Sequence, residues 1–320
     1  MKIGAFLACF DSWRLDDALS FLRDNGAEVV ELSTFGRRVA MDYDLDALLA
    51  SATLRDELAG RVAAHGLSIS SLSCHGNPLH PQAEIAEAQI GLFRATVSLA
   101  SQLGVQTVVD FSGCPGDGPN ATYPNWVTCA WPDDFPRILR WQWEEAIIPY
   151  WKETAKFCDD QGVRVALEMH PGMSVYNPRN LIRLRDAVSP TIGANLDPSH
   201  LIWQQIDIIA AIRYLGDAIH HVHMKDCELR SHQLGEVGVL DTTPFAEWDR
   251  RGWLYRTLGH GRSPEFWKQF VTALKEVGYT GTLSVEHEDV LYDAADGTAK
   301  AIALISAIRP ASDELNTWWN

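Results

Sequence analysis

Two hydrophobic rhythms alternate along this chain. Short, almost continuously apolar runs are each followed by stretches in which apolar residues return every three or four positions. The short runs are KIGAFLAC (2–9), AEVVELST (27–34), LSISSLSC (67–74), VQTVVDFSG (105–113), VRVALEMH (163–170), TIGANLDPS (191–199), AIHHVHMKD (218–226) and TLSVEHED (282–289). Such runs predict strands buried on both faces, as in a parallel sheet. Stretches such as DDALSFLRDNG, AEAQIGLFRATVSLASQLG and PEFWKQFVTALKEVG predict amphipathic helices. Most stop at a Gly, which closes a helix with a left-handed residue. Eight strand-then-helix units predict one α/β domain over residues 1–320, a (β/α)8 TIM barrel. An open doubly wound sheet fits less well, because no Gly-rich turn follows the first strand.

Two segments exceed the minimal barrel. Residues 113–140, rich in Gly, Pro and aromatics, follow strand four, and residues 227–263 follow strand seven. Both are expected as insertions on the C-terminal face, where barrel enzymes hold their active sites. Trp126, Trp131, Trp141, Trp143, Trp248 and Trp253 lie in or next to them. Trp stacks on sugar rings and serves subunit interfaces equally well.

Composition narrows the classes. With 320 residues, 46% of them hydrophobic, the chain can bury a sizeable core. A formal charge of −15 and the absence of any Lys/Arg run exclude nucleic acid as the main partner. The six cysteines show no Cys-x-x-Cys pair and read as free thiols in a reducing compartment. The apolar start is cut off by Asp11, as a first strand and not a signal peptide, and no run reaches membrane-helix length. A soluble, cytoplasmic protein is expected.

Four consecutive strands end in a metal-type ligand: Glu168 in ALEMHPG, Asp197 in NLDPSH, His223 in HVHMKD and Glu286 in SVEHED. If these side chains face the barrel axis, three carboxylates and one imidazole converge at its mouth. An unpaired buried carboxylate costs several kcal/mol, so such a mouth calls for a cation. One divalent ion answers it, Mn2+ first, with Co2+, Mg2+ or Zn2+ open for mixed oxygen and imidazole ligation. Each residue alone reads equally as a cap or an ion-pair partner; the conjunction on four strands is the signal. His75, ending strand three, should point into the mouth as a substrate contact. Lys225, Arg262 and, more weakly, His260 in LGHGR are candidates for substrate oxygens, against a solvated or salt-bridged alternative.

The order Glu … Asp-x-x-His … His-x-Lys-Asp … Glu resembles the xylose-isomerase-like barrels, which include sugar epimerases, sugar-phosphate isomerases, inosose dehydratases and, more distantly, endonuclease IV. The resemblance spans essentially the whole chain, and the Gly-x-Gly turn in GHGRSPEFW resembles the family's approach to its last helix. It implies Glu168, Asp197, His223 and Glu286 as metal ligands and His200 as a contact to substrate hydroxyls. It also implies Glu168 and Glu286 as the acid/base pair, and self-association into homo-oligomers. His170 or His200 moving the proton is the alternative, since an imidazole titrates nearest working pH. The chain departs from endonuclease IV: strand four offers Asp110 in place of a histidine, and no Asp-x-His follows HMKD.

Two chemistries fit. The first is a metal-dependent sugar or polyol isomerase/epimerase, removing a proton next to a carbonyl through a metal-stabilised enediolate. The second is a lyase or dehydratase acting by β-elimination on a keto-sugar or 3-keto-glycoside, which the aromatic insertions favour. A third reading, a non-catalytic partner subunit, conflicts with the intact ligand set.

Overall fold

A computed structural model describes residues 1–314; residues 315–320 of the expected domain lie outside the described residues. The eight apolar runs form the strands β1 Lys2–Phe6, β2 Val29–Ser33, β3 Ser68–Ser73, β4 Thr107–Phe111, β5 Arg164–Glu168, β6 Ile192–Leu196, β7 Ile219–Met224 and β8 Thr282–Val285. All neighbours are parallel, and β1 pairs with both β2 and β8, which closes the barrel. The fold is a (β/α)8 TIM barrel.

Outward-facing residues are apolar, as the runs predict. Val165, Leu167, Leu196, Val222 and Leu283 share one buried cluster with Phe93, Trp151, Trp267, Phe270 and Ile302 from the surrounding helices. Toward the mouth, the lumen is polar instead. Glu31 of β2 touches His221 and His223 of β7 and Ser284 of β8, so these contacts cross the barrel interior. Register shifts fall between Val30 and Glu31 and between Ala194 and Asn195. Such bulges re-aim side chains near functional sites.

The strands are shorter than the apolar runs because the chain leaves the ladder at the mouth. β6 ends at Leu196, since Asp197 already caps the helix Pro198–Trp203 by accepting the Ser199 N–H at 2.8 Å. After β4, residues 112–133 hold no helix or strand before the helix Asp134–Trp141. After β7, Asp226–Leu229 pairs antiparallel with Trp253–Arg256. The Gly-x-Gly turn closes this excursion: the Asp226 carboxylate accepts backbone N–H groups of Gly259 (2.9 Å), Gly261 (3.0 Å) and Arg262 (2.9 Å). A Cβ on Gly261 would lie 2.5 Å from the Cys227 carbonyl carbon, so the wrap admits glycine alone there. All six cysteines are free. Among the described residues no helix is long and apolar enough to cross a membrane.

Candidate active site

Glu168 is the last residue of β5 and His223 the second-last of β7, while Asp197 and Glu286 each follow their strand by one residue. One ligand atom from each of the four lies within 4.8 Å of the others. His223 Nδ1 is 2.9 Å from Glu286 Oε2 and 3.2 Å from Glu168 Oε2. Asp197 spends Oδ1 on its helix cap, and its buried Oδ2 has no hydrogen-bond donor. Lys225 Nζ stands 2.9 Å from that oxygen, off the angle a hydrogen bond needs. These four groups could hold a divalent cation, and Asp197 Oδ2, close to Lys225 and 3.3 Å from His200 Nε2 but without a hydrogen bond, is the oxygen that would turn to it.

A second layer fixes the first. Glu31, fully buried, accepts from His221 Nε2 at 2.8 Å, from His223 Nε2 at 3.1 Å and from Ser284 Oγ at 2.7 Å. Ser73 Oγ is a further donor. Asn195 Nδ2 donates to Glu168 Oε2 at 2.9 Å. His200 Nε2 donates to Glu168 Oε1 at 3.0 Å, and Tyr255 Oη–H donates to His200 Nδ1 at 3.1 Å. Phe6 stacks on the His223 ring, 5.8 Å between centroids.

The charges balance locally. Burial pushes Glu168 up, but the hydrogen bond from His200 and the close approach of His223 and His75 outweigh it and hold the carboxyl well below the usual range. Glu286 is also lowered, the charges of Lys225 and His223 overcoming burial. For Asp197 burial wins, and its carboxyl is raised. Burial would lower His223, yet Glu31 and Glu286 raise it well above an ordinary imidazole. Lys225, 2% exposed, stays charged because Asp197, Glu286 and Glu288 overcome its burial. Its Nζ donates to Glu286 at 2.8 Å and to Glu288 at 2.9 Å. The Lys225 ammonium and a protonated His223 place positive charge beside the carboxylates.

A cavity of about 320 Å³ opens over this floor, lined by His75, Glu168, His170, His200, Lys225 and Glu286. His75 sits at φ +47°, a left-handed conformation uncommon for a non-glycine residue. Its Nε2 is 3.4 Å from Glu168 Oε2. The His170 Nδ1–H donates to its neighbour's carbonyl, Pro171 O, at 2.6 Å, which leaves the Nε2 lone pair available. Burial and the adjacent His200 push His170 down to about 3, so it is neutral.

The structure does not bring every expected residue here. His260 packs against Tyr292 at 4.9 Å, and Arg262 gives its backbone N–H to Asp226; neither lines the cavity. Glu31 and Tyr255 escaped the sequence reading, while Asn195 and Glu288 were legible only as neighbours two residues from Asp197 and Glu286, without a role. A lone carboxylate inside the apolar VVELS was a signal for Glu31, and the two-residue spacing to Asp197 was one for Asn195. Nothing local distinguishes Tyr255.

A closed parallel barrel with an acidic, imidazole-bearing mouth defines the class, and the comparisons name the family. The model of the xylose isomerase-like TIM barrels matches residues 19–308, and the chain belongs to that family. It is 38% identical over 305 residues to the uncharacterized protein YfiH of Bacillus subtilis (strain 168), covering 94% of this chain and 97% of that one. Among solved structures it is similar to AsbF of Bacillus anthracis, a probable 3-DHS dehydratase involved in petrobactin synthesis. That match has a TM-score of 0.68 at 16% identity, over 96% of this chain and 99% of the other. The IolI protein, solved with a binding zinc atom, matches with a TM-score of 0.67 at 19% identity, over 96% and 98% of the two chains. Sugar 3-epimerases share the fold as well.

Proposed function

We propose that this protein is a divalent-metal-dependent isomerase or epimerase of a sugar or polyol. One observation carries the reading: donors from four successive strands meet within 4.8 Å, beneath a cavity of sugar size, with one buried carboxylate oxygen outside any hydrogen bond. Glu168, Asp197, His223 and Glu286 would hold the ion. When bound, a divalent ion supplies positive charge that stabilises oxyanions on the substrate at neutral pH. That the similarly folded IolI was solved with a zinc atom supports a metal-dependent reading, without ranking Mn2+ against Co2+, Mg2+ or Zn2+.

The chain's own residues supply the rest. Glu168 and Glu286 are held ionised, so each can accept a proton from the carbon next to the substrate's carbonyl. Return of the proton from the opposite side gives an epimer; return to the neighbouring carbon gives an isomer. His200, steadied by Tyr255, fixes the Glu168 oxygen that faces it and is placed to contact a hydroxyl. Lys225 and His75 offer N–H donors to substrate oxygens, and Phe6 and Phe111 exclude water from the floor.

A second reading, a lyase or dehydratase on a keto-sugar or 3-keto-glycoside, is favoured by the wide aromatic chamber beside the cavity. There the same proton removal expels a β-substituent instead of being reversed. The test is incubation with keto-sugars in deuterated water, with Mn2+ and again with a chelator. Solvent deuterium in a stereoisomer or isomer supports the first reading, and an unsaturated or cleaved product the second. Absence of bound metal together with absence of exchange overturns both.

A further inference from the structure

Beyond His170 and His200, which line both spaces, the carboxylate cavity adjoins a second chamber of about 430 Å³. Its wall is built from aromatics that come from distant stretches of the chain. Trp203 and Trp253 stack face to face, 4.8 Å between centroids and 2° from parallel. Phe245 stands edge-on to Trp253 at 6.0 Å and lies nearly flat over Tyr255 at 5.9 Å. The Arg251 guanidinium sits 4.1 Å from the Phe245 ring and 4.4 Å from that of Trp253.

This wall has unmet donors. Trp203 Nε1, Trp253 Nε1 and Arg251 Nε are buried N–H groups with no acceptor. Their residues are only 5%, 4% and 2% exposed. All three atoms are closed off inside the wall, so they do not reach into the chamber. The Asp241 carboxylate is spent as well, on the backbone N–H groups of Thr243 and Gly252, at 2.9 and 2.7 Å. A second sugar, whose hydroxyls must donate as well as accept, fits so apolar a wall poorly, and a planar ring fits it well. At the rim, Leu240 and Phe245 expose apolar surface that such a ring would cover.

We infer that the chamber binds a flat aromatic substituent, so that the substrate is an aryl-bearing sugar and not a free monosaccharide. The inference rests on the keto-sugar reading of the adjoining cavity and holds for isomerisation and elimination alike. The sugar lies over Glu168 and Glu286, its linkage passes His170 and His200, and the ring meets Trp253 and Phe245.

Binding of 4-nitrophenyl β-D-glucoside and of methyl β-D-glucoside to the full chain, followed by quenching of tryptophan fluorescence, tests it. The nitrophenyl compound should bind about tenfold more tightly, the increment of one good aromatic contact. Trp253→Ala and Phe245→Ala should each abolish the preference. Phe245 is largely exposed, so its variant keeps the fold should the Trp253 variant lose it. Phe35→Ala, in the cavity on the opposite side of the mouth, should retain the preference. Equal binding of the two glucosides, a preference that survives Phe245→Ala, or one lost with Phe35→Ala overturns the inference. Mn2+ titration of the same samples separates the two proposals. An aryl preference without metal binding removes the metal chemistry and keeps the chamber; metal binding without the preference does the reverse.

Discussion

Glu31 Oε1 lies 3.1 Å from His223 Nε2, although 192 residues separate the two in the chain. The contact sets the imidazole's polarity. A carboxylate can only accept, so the Nε2 proton belongs to this bond and Nδ1 is turned toward Glu168, Asp197 and Glu286. Glu31 is itself held by His221 and Ser284, so the ring cannot rotate without breaking several buried hydrogen bonds at once.

Glu31→Gln should therefore weaken divalent-ion binding by about 10–100-fold, as loss of an outer-shell carboxylate does in metal sites generally. Calorimetric titration with Mn2+ measures this directly. Affinity within a factor of about two of the parent protein would show that Glu31 holds the barrel and not the imidazole.

Lys225 would compete with a bound ion for the same carboxylates. Replacing it by Met should raise Mn2+ affinity while destabilising the chelator-treated protein by about 3–5 kcal/mol, the cost of leaving buried charges unmatched. Unfolding followed in chelator and in excess Mn2+ checks both parts. The stabilisation gained on adding metal should be larger in the variant than in the parent; an equal gain refutes the competition.

The two glutamates proposed to move the proton should be separable from the ion they share. Glu168→Gln and Glu286→Gln should each lower solvent-deuterium exchange into a turned-over keto-sugar by about 10²–10⁴-fold. Metal content measured on the same preparations isolates the proton-transfer part of the loss. Exchange that persists in both metal-loaded variants would shift the proton transfer to His170.

Asp110 provides a pH signature away from the cluster. Burial raises its carboxyl from 3.8 to about 6, although it accepts the Gly76 N–H. The folded value exceeds the unfolded one, so the stabilising contribution is complete below 3.8 and is lost as pH rises through about 6. The loss amounts to roughly 3 kcal/mol at neutral pH and above. Asp110→Asn keeps an acceptor for Gly76 and cannot ionise. Its melting temperature should exceed that of the parent at pH 8, with the gap roughly halved at pH 5 and gone below about 3.8. Parallel pH profiles for the two proteins would refute this.

The alternation of apolar runs and helical periods was enough to place all eight strands, because a strand covered on both faces must be apolar along its length. The strand ends were equally legible: Glu168, Asp197, His223 and Glu286 interrupt that apolar rule where each run stops. Boundaries were less legible, since Asp197 and Glu286 continue the run in sequence while their backbones have already left the ladder.

His260 and Arg262 show where local reasoning stops. Both flank glycines in a loop on the correct face, yet neither lines the cavity, and the Asp226 carboxylate gathers the backbone of that turn. Tyr255, set in an ordinary-looking WLYR, reaches His200 only because the excursion after β7 folds back as a ribbon.

The sequence by itself determined the barrel, its polar mouth and the chemical character of the four groups there, since each follows from the spacing of apolar and ionisable residues along single strands. Only the tertiary structure decided which groups share protons: Glu31 with His223, Tyr255 with His200, Lys225 with Glu286 and Glu288. Those pairs form across the lumen or between loops. Strand stagger, two register shifts and the path of one ribbon set their distances, and none of these leaves a periodic trace in the chain.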